Sequence, residues 1–397
     1  MTTRQPRRGL GRHLAVLAAL LFTLGGAPSE APARADSSAC GSQLTWRACG
    51  ARKRARPLGK KARNDRGWGT RSAKRGWGTH KAKRSKSQGQ DTNRSAGKST
   101  TMHLVDGDFM ISGPALDAQL RVRAAHAVTR GAGVVVAVVD GGFNLRHPAI
   151  ADALHPYGYD AIDGDMDAHD MGNGWDDDFD GVTDGGVGHG TFVAGMVRRI
   201  APEASILPIR VRDDEGWGTD DELERGLMVA WALGADVVNI SGESTRGLPG
   251  RVAALVRKMR KAGIVVVNAA GNSGTLSVSQ VARSKDSLIV GAVDGEDRLA
   301  PFSNRPAEAQ RYFVLAPGVD LHGPVGIGHD ESNGYWSGTS FATALVSGAA
   351  ALVRAAEPRF DALDIMDRIT ESVDPAWDAH GRMLPYGRIN LQQVVTR

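Results

Sequence analysis

Val134-Val135-Val136-Ala137-Val138-Val139-Asp140-Gly141-Gly142 is the stretch whose reading decides the fold. Its apolar part runs from Val134 to Val139 without a polar break, as a strand buried on both faces requires. Valine's branched Cβ favours the extended backbone. The run stops on a carboxylate followed by two glycines, so Asp140 stands where the strand gives way to a turn.

The same grammar repeats downstream. Residues 206–211, 236–240, 264–268 and 287–293 read as further strands, and 220–233 and 251–262 as amphipathic helices between them. Such alternation predicts an α/β fold with a mainly parallel, twisted sheet and helices on both faces. In sheets of this kind, reacting groups gather beyond the carboxyl ends of strands. Asp140 occupies such a place, and so does Asn272, soon after the strand at 264–268.

The chain ahead of this domain is of another character. Arg4, Arg7, Arg8 and Arg12 precede an apolar run at 14–24, and Ala33-Arg34-Ala35 offers a small-x-small cleavage site. Residues 1–35 therefore read as an export signal, which predicts a secreted protein with no stable membrane span after cleavage. Residues 36–100 have almost no aliphatic periodicity and read as a linker or pro-segment, with the domain proper at 101–397. The net charge of +5 hides this split: residues 51–100 carry 17 Lys/Arg against 2 Asp/Glu, and residues 101–397 carry 26 against 40. The basic segment repeats Arg-Gly-Trp-Gly-Thr at 66–70 and 75–79, cations beside tryptophan, which is also the chemistry of a polyanion-binding arm. The two cysteines, Cys40 and Cys49, fall in this segment and can close a small loop in an oxidising compartment. The domain has no cysteine, which excludes thiol catalysis and cysteine-ligated metals there.

Hydrolysis of an amide needs a nucleophile, a base, a group that fixes the tautomer of the base, and donors for the oxyanion. Ser340, in Gly338-Thr339-Ser340-Phe341-Ala342, opens a long helix-forming run, where exposed N–H groups and the helix dipole favour negative charge. His189, in Gly188-His189-Gly190-Thr191, also opens a helix and is flanked by glycines. Asp140 is placed to orient it. Asn272, in Gly271-Asn272-Ser273-Gly274, carries an amide donor. Taken singly, these read as an N-cap serine, an ordinary histidine and two turn residues. The four together are what points to acyl transfer.

The motifs VVVAVVDGG, GHGTFVAG, ADVVNIS, VVNAAGNSG and GTSFATALVSGAAALV, with GRIN near the C-terminus, resemble those of the subtilases, the subtilisin-like serine proteases, over about residues 118–395. The order Asp, His, Ser is that of subtilisin. The resemblance implies a three-layer fold and an endopeptidase acting on proteins or peptides through an acyl-enzyme, with no cofactor needed for the chemistry, working as a monomer. Ser340 would be the nucleophile, His189 the base and then the acid, and Asp140 its orienter. Asn272 and the Ser340 N–H would form the oxyanion hole. Ser241-Gly242 would be one wall of the substrate cleft and Gly216-Trp217-Gly218 the other, with Trp217 shaping a subsite.

There are departures from the family pattern. Gly141 follows the aspartate where the family usually has Ser or Thr. Ala344 and Leu345 replace a usual Pro-His, and Glu243 stands where the cleft wall usually has Gly. The basic segment is a poor match for a folding-assistant propeptide. Glu243 and the acidic domain predict a preference for basic substrates. A non-catalytic or self-processing protein on this scaffold, with the basic arm as its working part, is the alternative; the intact Asp-His-Ser set speaks against it.

Asp176, Asp178 and Asp180, in Asp176-Asp177-Asp178-Phe179-Asp180-Gly181, alternate as hard-cation ligands do, and Asp184 falls at the ninth place of such a loop. A structural calcium ion is the expectation, although Val187 stands where the usual bidentate Glu would be.

Overall fold

The computed structural model describes residues 103–105, 113–170, 172–177, 183–242, 250–277, 286–306, 310–327 and 329–397. The stretch read as an export signal, the basic segment with its repeats, Cys40 and Cys49 lie outside the described residues, as do Asp178, Asp180 and Glu243.

In chain order the strands are β1 (His103–Val105), β2 (Val135–Asp140), β3 (Tyr159–Asp160), β4 (Ser205–Arg210), β5 (Val237–Ile240), β6 (Val265–Ala269), β7 (Leu288–Val293), β8 (Phe313–Pro317), β9 (Leu321–Pro324), β10 (Asn333–Trp336), β11 (Val373–Asp374) and β12 (Arg388–Ile389). The helices are α1 (Pro114–Leu120), α2 (Val122–His126), α3 (His189–Ile200), α4 (Asp220–Ala232), α5 (Gly250–Lys261), α6 (Thr339–Ala356), α7 (Ala362–Glu371) and α8 (Leu391–Thr396). A nine-stranded sheet runs β11-β12-β8-β7-β6-β5-β2-β4-β3, and β1, β10 and β9 form a small antiparallel sheet apart from it. All pairings in the large sheet are parallel except β11 with β12.

Period-two alternation divides the strand residues between two cores. Val136 and Val138 of β2 join the core built with α3 and α6. Ala137 and Val139 join the one built with α4 and α5. The apolar run at 134–139 has no polar face because both faces are covered, and the expected three layers follow. The order of strands changes direction at β2: the chain goes to the edge strand β3 and back to β4 on one side, then crosses to β5 on the other. That reversal opens a crevice beyond the carboxyl ends of the strands.

The central helix α6 is buried without interruption from Thr339 to Val353. Alanines and glycine on it let α3 approach closely. The strands missing from the sequence reading are the five-residue β8 and the shorter β1, β3, β9, β10, β11 and β12. Leu321-His322-Gly323-Pro324 has no alternation to betray a strand, and Gly323 is there because a Cβ would lie 2.8 Å from the Phe192 ring of α3.

Gly348 marks the crossing of α3 and α6. A Cβ there would lie 2.6 Å from Ile200 Cβ and 3.0 Å from the Val197 carbonyl oxygen. Alanine gains about 1 kcal/mol in helix propensity. Overpacking a core costs about 1–3 kcal/mol, and here the neighbours include backbone that cannot rotate away. The steric cost therefore outweighs the gain, and Gly348→Ala is expected to melt several degrees below wild type by circular dichroism. An unchanged or higher melting temperature would mean that the helices separate freely.

Candidate active site

Asp140 is the last residue of β2 and wholly buried. His189 is the first residue of α3. The imidazole Nδ1 and Asp140 Oδ1 are 2.7 Å apart. The carboxylate accepts at Nδ1, so the imidazole carries its proton on that nitrogen and leaves Nε2 as the basic one. Gly141 N–H donates to the same Oδ1 at 2.7 Å, so the residue after the aspartate steadies it through backbone alone. The pairing depends on a close backbone approach: a Cβ on Gly190 would lie 2.3 Å from the Gly142 carbonyl oxygen. Gly188, ahead of His189, has φ of +85°, a left-handed turn in which a side chain would be strained.

Ser340 is the second residue of α6. Its neighbour Phe341 lies against the His189 ring at 5.3 Å between centroids, and Trp336 of β10 meets that ring edge-on at 5.4 Å. The start of α6 is therefore brought to the imidazole. The Ser340 hydroxyl donates to the Ser241 carbonyl at 3.3 Å, and the Ser241 hydroxyl donates back to the Ser340 carbonyl at 3.0 Å. Behind them, Asn239 Nδ2 donates to Ser241 Oγ at 2.7 Å, and Ser347 donates to Asn239 Oδ1 at 2.9 Å. This chain of polar side chains ties β5 to α6 inside the core. Asn239 and Ser347 carried no role in the sequence reading, since nothing in one strand and one helix announces that they meet.

Asn272 Oδ1 accepts from the backbone N–H and the hydroxyl of Thr339, both at 2.9 Å. The oxygen end of the amide is thereby committed to the helix start, which turns the nitrogen end to other work. That nitrogen lies 3.7 Å from where a Cβ on Gly338 would sit. Ser241-Gly242 continues from β5, and Gly216-Trp217-Gly218 follows β4. In the sheet β5 and β4 flank β2, so these two segments stand on either side of the strand end that carries Asp140. The second segment is a tight turn. Asp213 N–H donates to the Trp217 carbonyl at 2.7 Å, Gly216 N–H to the Asp213 carbonyl at 3.0 Å, and Trp217 N–H to Asp213 Oδ1 at 2.8 Å. Gly186 packs directly on Gly216, since a Cβ there would lie 2.5 Å from the Gly216 nitrogen.

Residues 131–387 match the family described as the Subtilase family. The chain belongs to the subtilase family. It is 34% identical over 286 residues to a thermophilic serine proteinase of a Bacillus strain, covering 68% of this chain and 64% of that one, so it spans just under two thirds of that relative's length. It is 30% identical to subtilisin E of Bacillus subtilis over 69% of each chain. Among solved structures it resembles a protease from Pseudoalteromonas arctica (TM-score 0.62, 26% identity, covering 71% of this chain and 97% of that one). The protease domain of PatA superposes with a TM-score of 0.56 at 26% identity, covering 68% of this chain and 96% of that one.

The acidic loop of this subtilase is organised by backbone hydrogen bonds. Asp184 accepts from the N–H groups of Asn173 at 2.8 Å and Gly174 at 3.1 Å. Glu215 accepts from the N–H groups of Asp177, Asp184 and Gly185. Asp176 lies on the same loop, and Asp178 and Asp180 lie outside the described residues. Among the described residues no group of three His, Cys, Asp or Glu side chains is arranged to hold a metal ion.

Two charged residues to which the sequence reading gave no part in the Asp-His-Ser chemistry lie under the site. Arg212, buried, brings Nη1 to 3.9 Å from Asp140 Oδ1. Burial pushes the Asp140 carboxyl up, but His189 and Arg212 more than offset this and hold it below the usual carboxylate range. Burial pushes the Arg212 guanidinium down. Half-buried Asp170 accepts from Gly188 N–H at 2.6 Å, while its backbone pairs with Phe143. It thus clips the turn after Asp140 to the start of the His189 helix.

Burial raises the Asp170 carboxyl to about 6, against which the Gly188 hydrogen bond is the main opposing effect. The folded chain therefore holds this proton more tightly than the unfolded chain does. The stabilisation is fully present below about pH 4 and is lost as pH rises through about 6. Asp170→Asn keeps an acceptor for Gly188 and removes the ionisation. It is expected to melt with wild type at pH 4 and roughly 2–4 °C higher at pH 7. Identical melting temperatures at pH 7 would show that the carboxylate carries no such burden.

Proposed function

We propose that this subtilase is an exported endopeptidase that cleaves peptide bonds through an acyl-enzyme, with Ser340 as nucleophile. The carrying observation is the 2.7 Å contact between Asp140 and His189 beside the start of α6. In this reading His189 Nε2 takes the Ser340 proton as Oγ attacks the scissile carbonyl. The resulting imidazolium sits against the Asp140 carboxylate and then gives its proton to the leaving amine. The tetrahedral oxyanion accepts from the Asn272 amide and from the Ser340 backbone N–H, which lies in the first turn of a helix and has no partner within it.

The extended substrate lies over the end of β2, between Ser241-Gly242 and Gly216-Trp217-Gly218, and adds as a strand. Half-buried Trp217 borders one subsite. Export rests on the arginines and the apolar run of residues 1–35, and the excess of acidic residues in the domain favours basic substrates.

A fluorophosphonate probe is expected to label Ser340 in wild type and not in Ser340→Ala. Asn272→Ala is expected to lower kcat by about 10²–10³-fold with KM little changed, since its donor acts on charge that develops only in the transition state. Measured with casein and peptide substrates, wild-type turnover in the Asn272 variant, or labelling that survives Ser340→Ala, would overturn the assignment.

A further inference from the structure

The end of β4 carries a charge arrangement that the mechanism above does not use. Asp140 pairs in register with Arg210, and Val211 N–H donates to the Asp140 carbonyl at 2.8 Å. The backbone therefore holds Arg212 alongside Asp140. Period two sends Arg210 and Arg212 to the same side. Arg210 is spent on Asp160, with Nη1 at 2.6 Å from Oδ2. Arg212 goes to Asp140, at 3.9 Å. That distance is beyond a hydrogen bond and well within charge range. Both side chains are shut away from water, Arg212 at 3% exposure and Asp140 at 0%. Asp140 Oδ1 serves His189 and Gly141, and no group among the described residues donates to the buried Oδ2.

We propose that Arg212 is a positioning residue of this active site: its buried guanidinium holds Asp140 as an anion and offsets part of the negative charge that Asp140 presents to His189. This rests on the Asp140–His189–Ser340 reading above and adds a third charge to it. A carboxylate in a dry site is costly to ionise unless a cation shares the site. The same cation repels any proton added to the pair. Whichever partner carries that proton, removing a fixed positive charge makes its binding easier. Arg212 therefore extends the working range of the enzyme toward acid. Among the described residues, the other charges facing the pair are Asp213, which also attracts Arg212, and Asp170, which in turn feels Arg210 and Asp214. None of them is a cation within reach of Asp140, so Arg212 is the source of this effect.

The test compares Arg212→Met, which fills the volume, Arg212→Gln, which keeps polar donors, and Arg212→Lys, which keeps the charge. In kcat/KM against pH, the acid limb of both neutral variants is expected to move up by about one pH unit. That of Arg212→Lys is expected to stay within a few tenths of wild type. Superimposed profiles, or a lysine variant that shifts as far as the neutral ones, would overturn the proposal. So would failure of all three variants to fold, which would assign Arg212 to stability alone. The His189 ring titration, followed by NMR in the Ser340→Ala background, needs no turnover and is expected to show the same shift. It separates this proposal from the catalytic one: if wild-type Ser340 does not react with a fluorophosphonate, the catalytic reading fails, while the Arg212 effect on the ring is still measured.

Discussion

A carboxylate that must stay ionised without water is the constraint around which this molecule is arranged. Asp140 ends a strand covered on both faces and is itself fully buried. Ionising such a group alone is unfavourable by several kcal/mol. It becomes tolerable because an imidazole, a backbone N–H and a guanidinium converge on it. Each comes from a different piece of chain: the start of α3, the turn after β2 and the end of β4. The sheet order brings these three together, since β2 lies beside β4 and α3 leads into β4.

Small residues are what let the pieces approach. Gly142 and Gly190 touch backbone to backbone, Gly186 packs on Gly216, and Gly348 admits Ile200. These contacts bear on one another. The crossing of α3 and α6 at Gly348 fixes how the two helices lie, and their N-termini carry His189 and Ser340. A fault in packing far along the helices would therefore be felt as misalignment at their starts. The buried polar chain from Ser347 through Asn239 to Ser241 adds a directional restraint to this apolar packing. Hydrogen bonds satisfied inside a core specify one arrangement, because sliding would leave them unpaired.

The acidic surroundings of the site divide into groups with separate tasks. Asp170 caps the turn before His189, Glu215 gathers the N–H groups of the acidic loop, and Asp213 closes the turn that carries Trp217. Each is satisfied largely by backbone donors. The loops around the crevice are shaped by carboxylates accepting from their own main chain, which suits exposed segments that hold one conformation.

Much of this was legible in the residues alone. The unbroken valines of 134–139 required a strand covered on both faces. Alternation with amphipathic helices then required a parallel sheet, because periodicity is a local property that a single segment displays. The small glycine-flanked contexts of Asp140, His189, Asn272 and Ser340 were visible for the same reason: a turn or helix start is written in consecutive residues. The short strands β3, β9 and β10 were not legible, being too brief and irregular to show a period. Neither were Arg212, Asn239 and Ser347. A lone arginine after a strand reads as a surface charge, and only the neighbouring strand, 72 positions earlier in the chain at Asp140, turns it inward. Sequence determines what each segment can be, through local sterics and hydrophobic period. Which buried charges face each other is a matter of segments far apart in the chain, and only their packing decides it.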